Sequence, residues 1–176
     1  MRVKLWMVVT SFILAGFISL GCKKAGKDDD GGNPPRTDVP AAFVGTWYYG
    51  EVSNTNLYNP NNGSWSNAVG SGMAYTFYAN GTFEFGYRNY VMVGNCSNVG
   101  MAYRSGTVEV DGNQLTLHDK VSKIMESHSC NTASNYSKNS TKYTEVLIAE
   151  PTTDQWGNPG LKLRKPDTGF TTFMKK

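Results

Sequence analysis

The stretch that most constrains the fold runs from Tyr75 to Tyr87 and reads YTFYANGTFEFGY. Aromatic residues at every second position on both sides of Asn80-Gly81 predict two antiparallel strands joined by a tight turn, because strand side chains alternate between faces. Asn-Gly is typical of a two-residue type I′ turn. The aromatic face is too large to remain in water, so a sheet has to close over it.

The length of this turn decides whether the aromatic residues of the two strands share a face. A strict two-residue turn pairs Ala79 with Thr82 and places the two aromatic sets on opposite faces. A longer turn, or a bulge at Gly81, places both sets on one face. Burial favours the longer connection, since the strict turn leaves one aromatic row outside the core.

The chain from residue 40 to residue 176 continues with alternating runs separated by turn residues such as Asp111-Gly112. About eight strands joined mostly by hairpins predict one all-β domain, an antiparallel up-and-down β-barrel, with a β-sandwich as the alternative. A long polar connection at residues 53–72 carries Trp65. Its length indicates function or disorder, and Trp65 is expected either over a binding mouth or tucked against the rim.

Residues 1–21 are predicted to be a targeting segment that is removed as a signal peptide. A short basic region precedes the apolar run Leu5–Leu20, which is shorter than a membrane span. The run ends in Ser-Leu-Gly-Cys, which resembles the lipobox, although Ser19 stands where an aliphatic residue is usual. The resemblance implies lipid attachment at Cys22, and an ordinary cleaved signal with an incidental cysteine is the alternative.

Residues 22–39 are predicted to form a flexible, lipid-anchored tether, because they are polar and rich in glycine and proline. Lys27 followed by three aspartates resembles the export tag of surface lipoproteins in Gram-negative bacteria. The expected location is therefore the outer membrane. Surface display and retention on the inner leaflet both stay open, since a charge run is also typical of a solvated tail.

Three cysteines leave an odd thiol in an exported protein. If Cys22 carries lipid, Cys96 and Cys130 are free to form a disulfide in an oxidising compartment. Two separate buried thiols are the alternative, because spacing alone does not bring their Cα atoms together.

Gly45-Thr46-Trp47 matches the Gly-x-Trp signature of lipocalins. With the aromatic hairpin and the run GTVEVDGNQLTL at residues 106–117, it resembles the lipocalin-like domains of Gram-negative lipoproteins over residues 44–174. The resemblance implies that Trp47 plugs the closed end of the barrel beside Gly45. It also implies that an arginine from a late strand, here Arg164, packs on Trp47.

The resemblance further implies a small apolar or amphiphilic ligand inside the barrel. The side chains expected to contact it are the inward aromatics of the central strands, namely Tyr75, Phe77, Phe83, Phe85 and Tyr103. The alternative is a filled barrel that serves as an interaction or structural module without cargo. Loss of Arg2 and Lys4 with the signal lowers the formal charge of +3 to +1, and the lysines are scattered, which argues against a nucleic-acid partner.

The sequence predicts neither an enzyme nor a metal or cofactor site. His118 and His128 lack the repeated spacing of metal ligands. The glutamates that could supply a carboxylate pair for glycoside cleavage, Glu109, Glu126 and Glu145, have no spacing that sets their separation. Neither a nucleophile elbow nor a phosphate-binding glycine loop occurs at a strand-to-helix junction.

Overall fold

A computed structural model describes residues 34–53 and 57–175. The predicted signal peptide, Cys22 and residues 23–33 of the predicted tether lie outside the described residues. The strands are β1 Gly45–Gly50, β2 Gly72–Tyr78, β3 Thr82–Val93, β4 Cys96–Asp111, β5 Gln114–His128, β6 Tyr136–Asn139, β7 Thr144–Thr153, β8 Pro159–Arg164 and β9 Thr171–Lys175, and a 3-10 turn spans Thr132–Ser134.

The strands form one antiparallel sheet that closes on itself. β1 pairs with both β2 and β9, and β5 pairs with both β4 and β7. Eight strands therefore form a ring, in which strands that follow one another in sequence lie side by side. Strand β6 is not part of the ring and pairs with the outer part of β5. The predicted all-β, up-and-down architecture of about eight strands is confirmed, in a barrel-like form.

The central hairpin takes the longer of the two predicted connections. Tyr78 pairs with Thr82, so Ala79, Asn80 and Gly81 form a three-residue loop in which Gly81 has a φ of +76°. Three-residue hairpin loops usually end in a residue at positive φ, which is Gly81 here. A type I′ turn would also require a positive φ at Asn80, which Asn80 does not adopt. The two-residue type I′ turn that Asn-Gly often forms is therefore absent here, and the longer connection that burial favoured is confirmed. Phe77 pairs with Phe83 and Tyr75 with Phe85, so both aromatic sets share one face.

That face points into the ring, which is filled by side chains. One cluster of buried residues draws on all eight ring strands and on the segment before β1: Val39, Phe43, Trp47, Tyr75, Phe77, Phe83, Val108, Leu115, Leu117, Leu147, Ala149, Leu161, Leu163 and Phe173. The Tyr75 ring lies 5.7 Å from Phe77, 4.7 Å from Phe85 and 5.6 Å from Phe173, measured between centroids. These distances are those of packed aromatic pairs.

The segment before β1 closes one end of the ring. The Thr37 amide donates to the Val108 carbonyl at 2.9 Å, and the Val39 amide donates to the Ala79 carbonyl at 3.1 Å. Val39 and Phe43 are buried in the core cluster. The folded domain therefore begins before residue 40, which is the boundary predicted from the sequence. The last residues of the predicted tether belong to the domain.

Strands β3, β4 and β5 run on beyond the ring as a projecting sheet, which we call the flap (residues 88–101 and 124–128). The pairing of β2 with β3 ends at Gly72 and Arg88, while β3 and β4 stay paired as far as Val93 and Cys96. The predicted disulfide between Cys96 and Cys130 is present and ties the start of β4 to the chain just after β5. Closing this loop of 34 residues contributes about 3–4 kcal/mol on the chain-entropy account.

A close approach between β4 and β5 makes Gly106 a test of the fold. The register of the two strands shifts beside Gly106, and a Cβ atom at this position would lie 1.8 Å from the His118 carbonyl oxygen. We expect Gly106→Ala to lower the free energy of unfolding by about 1–3 kcal/mol or more, because the strands have to separate. Gly100→Ala on the same strand, with no atom within 4 Å, should change it by less than about 0.5 kcal/mol. Equal effects in denaturant titrations would show that the approach is not tight.

Candidate functional site

Four of the five aromatic residues predicted to contact a ligand point into the ring, and the fifth does not. Tyr75, Phe77 and Phe83 are in the core cluster, and Phe85 packs against it. Tyr103 lies on the outer face, where its ring is 5.6 Å from that of Tyr58. The predicted inward orientation of Tyr103 is therefore wrong. Its neighbour Arg104 takes the inward position instead.

Arg104 is the centre of a buried ionic network inside the ring. Its Nε lies 3.0 Å from each carboxylate oxygen of Asp119, and its Nη1 lies 2.6 Å from Glu145 Oε2. Its Nη2 is 3.0 Å from Asp119 Oδ1, in the geometry of an ion pair rather than a hydrogen bond. Lys165 Nζ reaches the other Glu145 oxygen at 3.1 Å from the surface. Two cations therefore balance two carboxylates within the network.

Aromatic side chains surround this network, and one of them adds a hydrogen bond to it. The Arg104 guanidinium lies 4.0 Å from the Tyr143 ring centroid, and the Tyr75 hydroxyl donates to Glu145 at 3.4 Å. Burial, followed by the negative charge of Glu145, raises the pKa of Tyr75, so its hydroxyl stays a donor at neutral pH. Burial alone would lower the pKa of Arg104, but its hydrogen bonds and ion pairs with Asp119 and Glu145 outweigh it and raise that pKa. The network is therefore a charge-balanced part of the core, in which Arg104 Nη2 makes an ion pair but no hydrogen bond.

Trp47 lies in the closed end of the ring, but Arg164 does not pack on it. The Trp47 indole is buried and donates to the Phe43 carbonyl at 2.7 Å. The cation over its ring is Lys175 of the last strand, at 5.4 Å. Arg164 instead donates to the Pro166 carbonyl and stacks on Phe170. The assignment of Arg164 is therefore wrong, and Gly45 opens β1 opposite Phe77.

The long polar connection is docked on the outside of the sheet. Tyr58 and Trp65 form a bridge within it, and the Ser66 amide donates to the Leu57 carbonyl at 2.9 Å. Leu57 and Ala68 are buried against the outer residues Ala74 and Met101 in a second apolar cluster. The Trp65 indole reaches across to donate to Ser137 of β6 at 2.8 Å.

Between this connection and the flap lies a cavity of about 340 Å³, which we call the outer groove. Its lining residues are Trp65, Ser66, Asn67, Ala68, Arg88, Val99, Met101, Met125 and Ser127. Two buried polar atoms of this lining, Ser66 Oγ and Arg88 Nε, have no hydrogen-bond partner among the described residues. Such atoms are unusual in folded proteins, where nearly all buried polar atoms have a hydrogen-bond partner.

A second cavity of about 260 Å³ lies on the opposite face of the flap, lined by Asn89, Val91, Asn98, Val99, Gly100, Glu126 and His128. Its polar groups already pair with one another. His128 Nδ1 lies 2.8 Å from the Asn98 side-chain oxygen, and His128 Nε2 lies 3.6 Å from Glu126. Beyond it, the flap tip exposes three consecutive apolar side chains, of which Met92 is 61% and Val93 is 68% exposed.

The candidate acid–base and metal-binding residues lie in separate places. Glu109 contacts His118 at 3.0 Å, Glu126 lies on the flap, and Glu145 is held by Arg104 inside the ring. Over residues 34–53 and 57–175, no three His, Cys, Asp or Glu side chains are grouped so that they could hold a metal ion. Over the same residues, no helix is long and apolar enough to cross a membrane.

Comparison of the chain with protein-family models and with curated protein sequences gives no match in either case.

Sequence reasoning missed the outer groove, although the signal was present. Leu57, Tyr58, Trp65 and Ala68 are apolar residues in an otherwise polar connection, and they mark the side on which it docks. Nothing in the sequence indicated that the groove would be completed by Arg88, Met101 and Met125 from three different strands.

Proposed function

We propose that this protein is a lipid-anchored envelope protein that binds a small apolar or amphiphilic molecule in the outer groove. The observation that carries the proposal is a ligand-sized groove that combines apolar and polar side chains, two of which, Ser66 and Arg88, each have a buried polar atom without a hydrogen-bond partner among the described residues. Ligand sites are typically concave, mostly apolar, about 300–1,000 Å³ in volume and equipped with a few polar groups.

The side chains of the groove suit a ligand of variable shape. Met101 and Met125 are flexible and polarisable, and methionine is common where a surface has to adapt to its ligand. Trp65 supplies a large flat wall that is held from outside by Ser137. Cargo inside the ring has less support, because aromatic rings and the Arg104 network occupy the interior.

The membrane anchor is the second part of the proposal and rests on the resemblance of residues 19–22 to a lipobox. The closed end of the ring, where residues 34–39 enter, and the flap tip lie at opposite ends of β3. A tether from Cys22 would therefore enter the domain at the end away from the flap. Fatty-acid labelling that disappears in Cys22→Ser tests this anchor.

The alternative function, an interaction module without cargo, is favoured by one observation. The flap tip exposes Val91, Met92 and Val93, and beyond Arg88 strand β3 has no neighbouring strand on its outer side among the described residues. Exposed apolar edge strands are typical sites of strand addition by a partner.

Titration with 1-octanol tests the proposed function. We expect 1-octanol to bind saturably to the mature protein carrying Cys22→Ser, as measured by calorimetry in the absence of detergent. Ser127→Trp should abolish it by filling the groove, whereas Thr116→Trp on the same strand, outside the groove, should leave it unchanged. Absence of saturable binding, or equal loss in both variants, would contradict a site in the outer groove.

A further inference from the structure

We propose that the outer groove selects ligands with a negatively charged head group, and that Arg88 binds this group as a carboxylate on an apolar chain. The inference rests on the proposed function and adds the chemical class of the ligand. It starts from the contrast between the two buried arginines of the domain.

Arg104 and Arg88 are buried to a similar degree but are paired very differently. Arg104 is 4% exposed and contacts two carboxylates, Asp119 and Glu145. Arg88 is 8% exposed, and none of the ion pairs among the described residues involves it. A buried guanidinium without an anion is costly, because water no longer solvates its charge.

Arg88 donates one hydrogen bond among the described residues. Its Nη1 donates to the Gly70 carbonyl, and its guanidinium lies 5.3 Å from the Tyr90 ring centroid. Its Nε is buried without an acceptor. Guanidinium offers five N–H donors in a planar fork that matches the two oxygens of a carboxylate. The carbonyl and the ring hold the fork in place and supply no negative charge.

A second unpartnered polar atom lies in the same groove. Ser66 Oγ is buried without a hydrogen-bond partner, and its hydroxyl can donate to a carboxylate oxygen. The rest of the wall is mixed: Asn67 and Ser127 are polar, whereas Trp65, Met101 and Met125 are suited to a hydrocarbon chain. The groove therefore offers the two features that an amphiphilic carboxylate requires of its binding site. A cation and a hydroxyl suit the carboxylate, and an apolar surface suits the chain.

Octanoate and 1-octanol, which share the same chain length, separate the head group from the chain. We expect the mature protein carrying Cys22→Ser to bind octanoate about tenfold more tightly than 1-octanol at neutral pH, because hydrogen bonds to a charged acceptor are stronger. Arg88→Met should remove this preference, so that the two probes bind with affinities within about twofold of each other. Arg88→Lys should keep part of the preference.

Arg164→Met is the matched control, because Arg164 also has one backbone carbonyl and one aromatic ring as partners but lies outside the groove. It should leave the octanoate preference intact. Equal affinities for the two probes in the parent protein, or a preference that survives in Arg88→Met, would overturn the inference while the proposed function stands. Binding of neither probe would instead overturn the proposed function. Should Arg88→Met fail to fold, the comparison of probes in the parent protein and in Arg88→Lys decides.

Discussion

Arg104→Met is expected to lower the free energy of unfolding by about 3–5 kcal/mol, measured by denaturant titration with the disulfide intact. The substitution keeps most of the side-chain volume but removes the cation between Asp119 and Glu145, whose side chains are 0% and 6% exposed. Two carboxylates would then remain buried without their guanidinium partner. The loss arises from these stranded charges rather than from packing.

Two controls separate the charge effect from the packing effect. Lys165→Met removes the exposed cation of the network, and we expect a loss of no more than about 1 kcal/mol. Adding Asp119→Asn and Glu145→Gln to Arg104→Met should recover part of the stability, because the buried charges are gone. A loss below about 1 kcal/mol for Arg104→Met alone would show that the network is not buried as described.

Trp47→Ala is expected to cost about 3–5 kcal/mol, as a large-to-small change in a packed core. Trp47 is 3% exposed, belongs to the main apolar cluster and fixes the turn before β1 through its bond to Phe43. Trp156→Ala is the matched control, because Trp156 is 77% exposed. It should change the stability by less than about 0.5 kcal/mol. Similar losses for both variants would mean that Trp47 does not fill the closed end of the ring.

The parts of the fold that could be predicted depend on local patterns. Alternation around Asn80-Gly81, together with the requirement to bury both aromatic rows, was enough to identify the shared face of Phe77 and Phe83. The predicted export and an odd cysteine count were enough to propose the pairing of Cys96 with Cys130. Burial favoured one alternative in the first case, whereas in the second two separate buried thiols stayed open until the structure showed the bond.

The parts that could not be predicted depend on contacts between distant residues. Alternation within β4 places Tyr103 and Arg104 on opposite faces but does not tell which of them faces inward. The sequence favoured Tyr103, because an arginine is expected outside unless it has buried partners. The partners, Asp119 and Glu145, come from β5 and β7 and are brought together only by closure of the ring. Closure of the ring also places Lys175, rather than Arg164, over the Trp47 ring.

The groove illustrates the same point for function. An aromatic face in the sequence indicated where a ligand could lie, but those rings pack against one another inside the ring. The remaining apolar residues lie outside it, where a docked connection and the flap leave space between them. The ligand site that we propose therefore lies on the outer surface of the sheet and not inside it, where the sequence predicted it.

The position of bound 1-octanol tests this account most directly. Methyl-labelled methionine reports on both locations by NMR, because Met101 and Met125 line the outer groove while Met73 packs against the core inside the ring. We predict that 1-octanol shifts the methyl resonances of Met101 and Met125 and leaves that of Met73 unchanged. A shift of Met73 with Met101 and Met125 unmoved would place the ligand inside the ring and contradict the account.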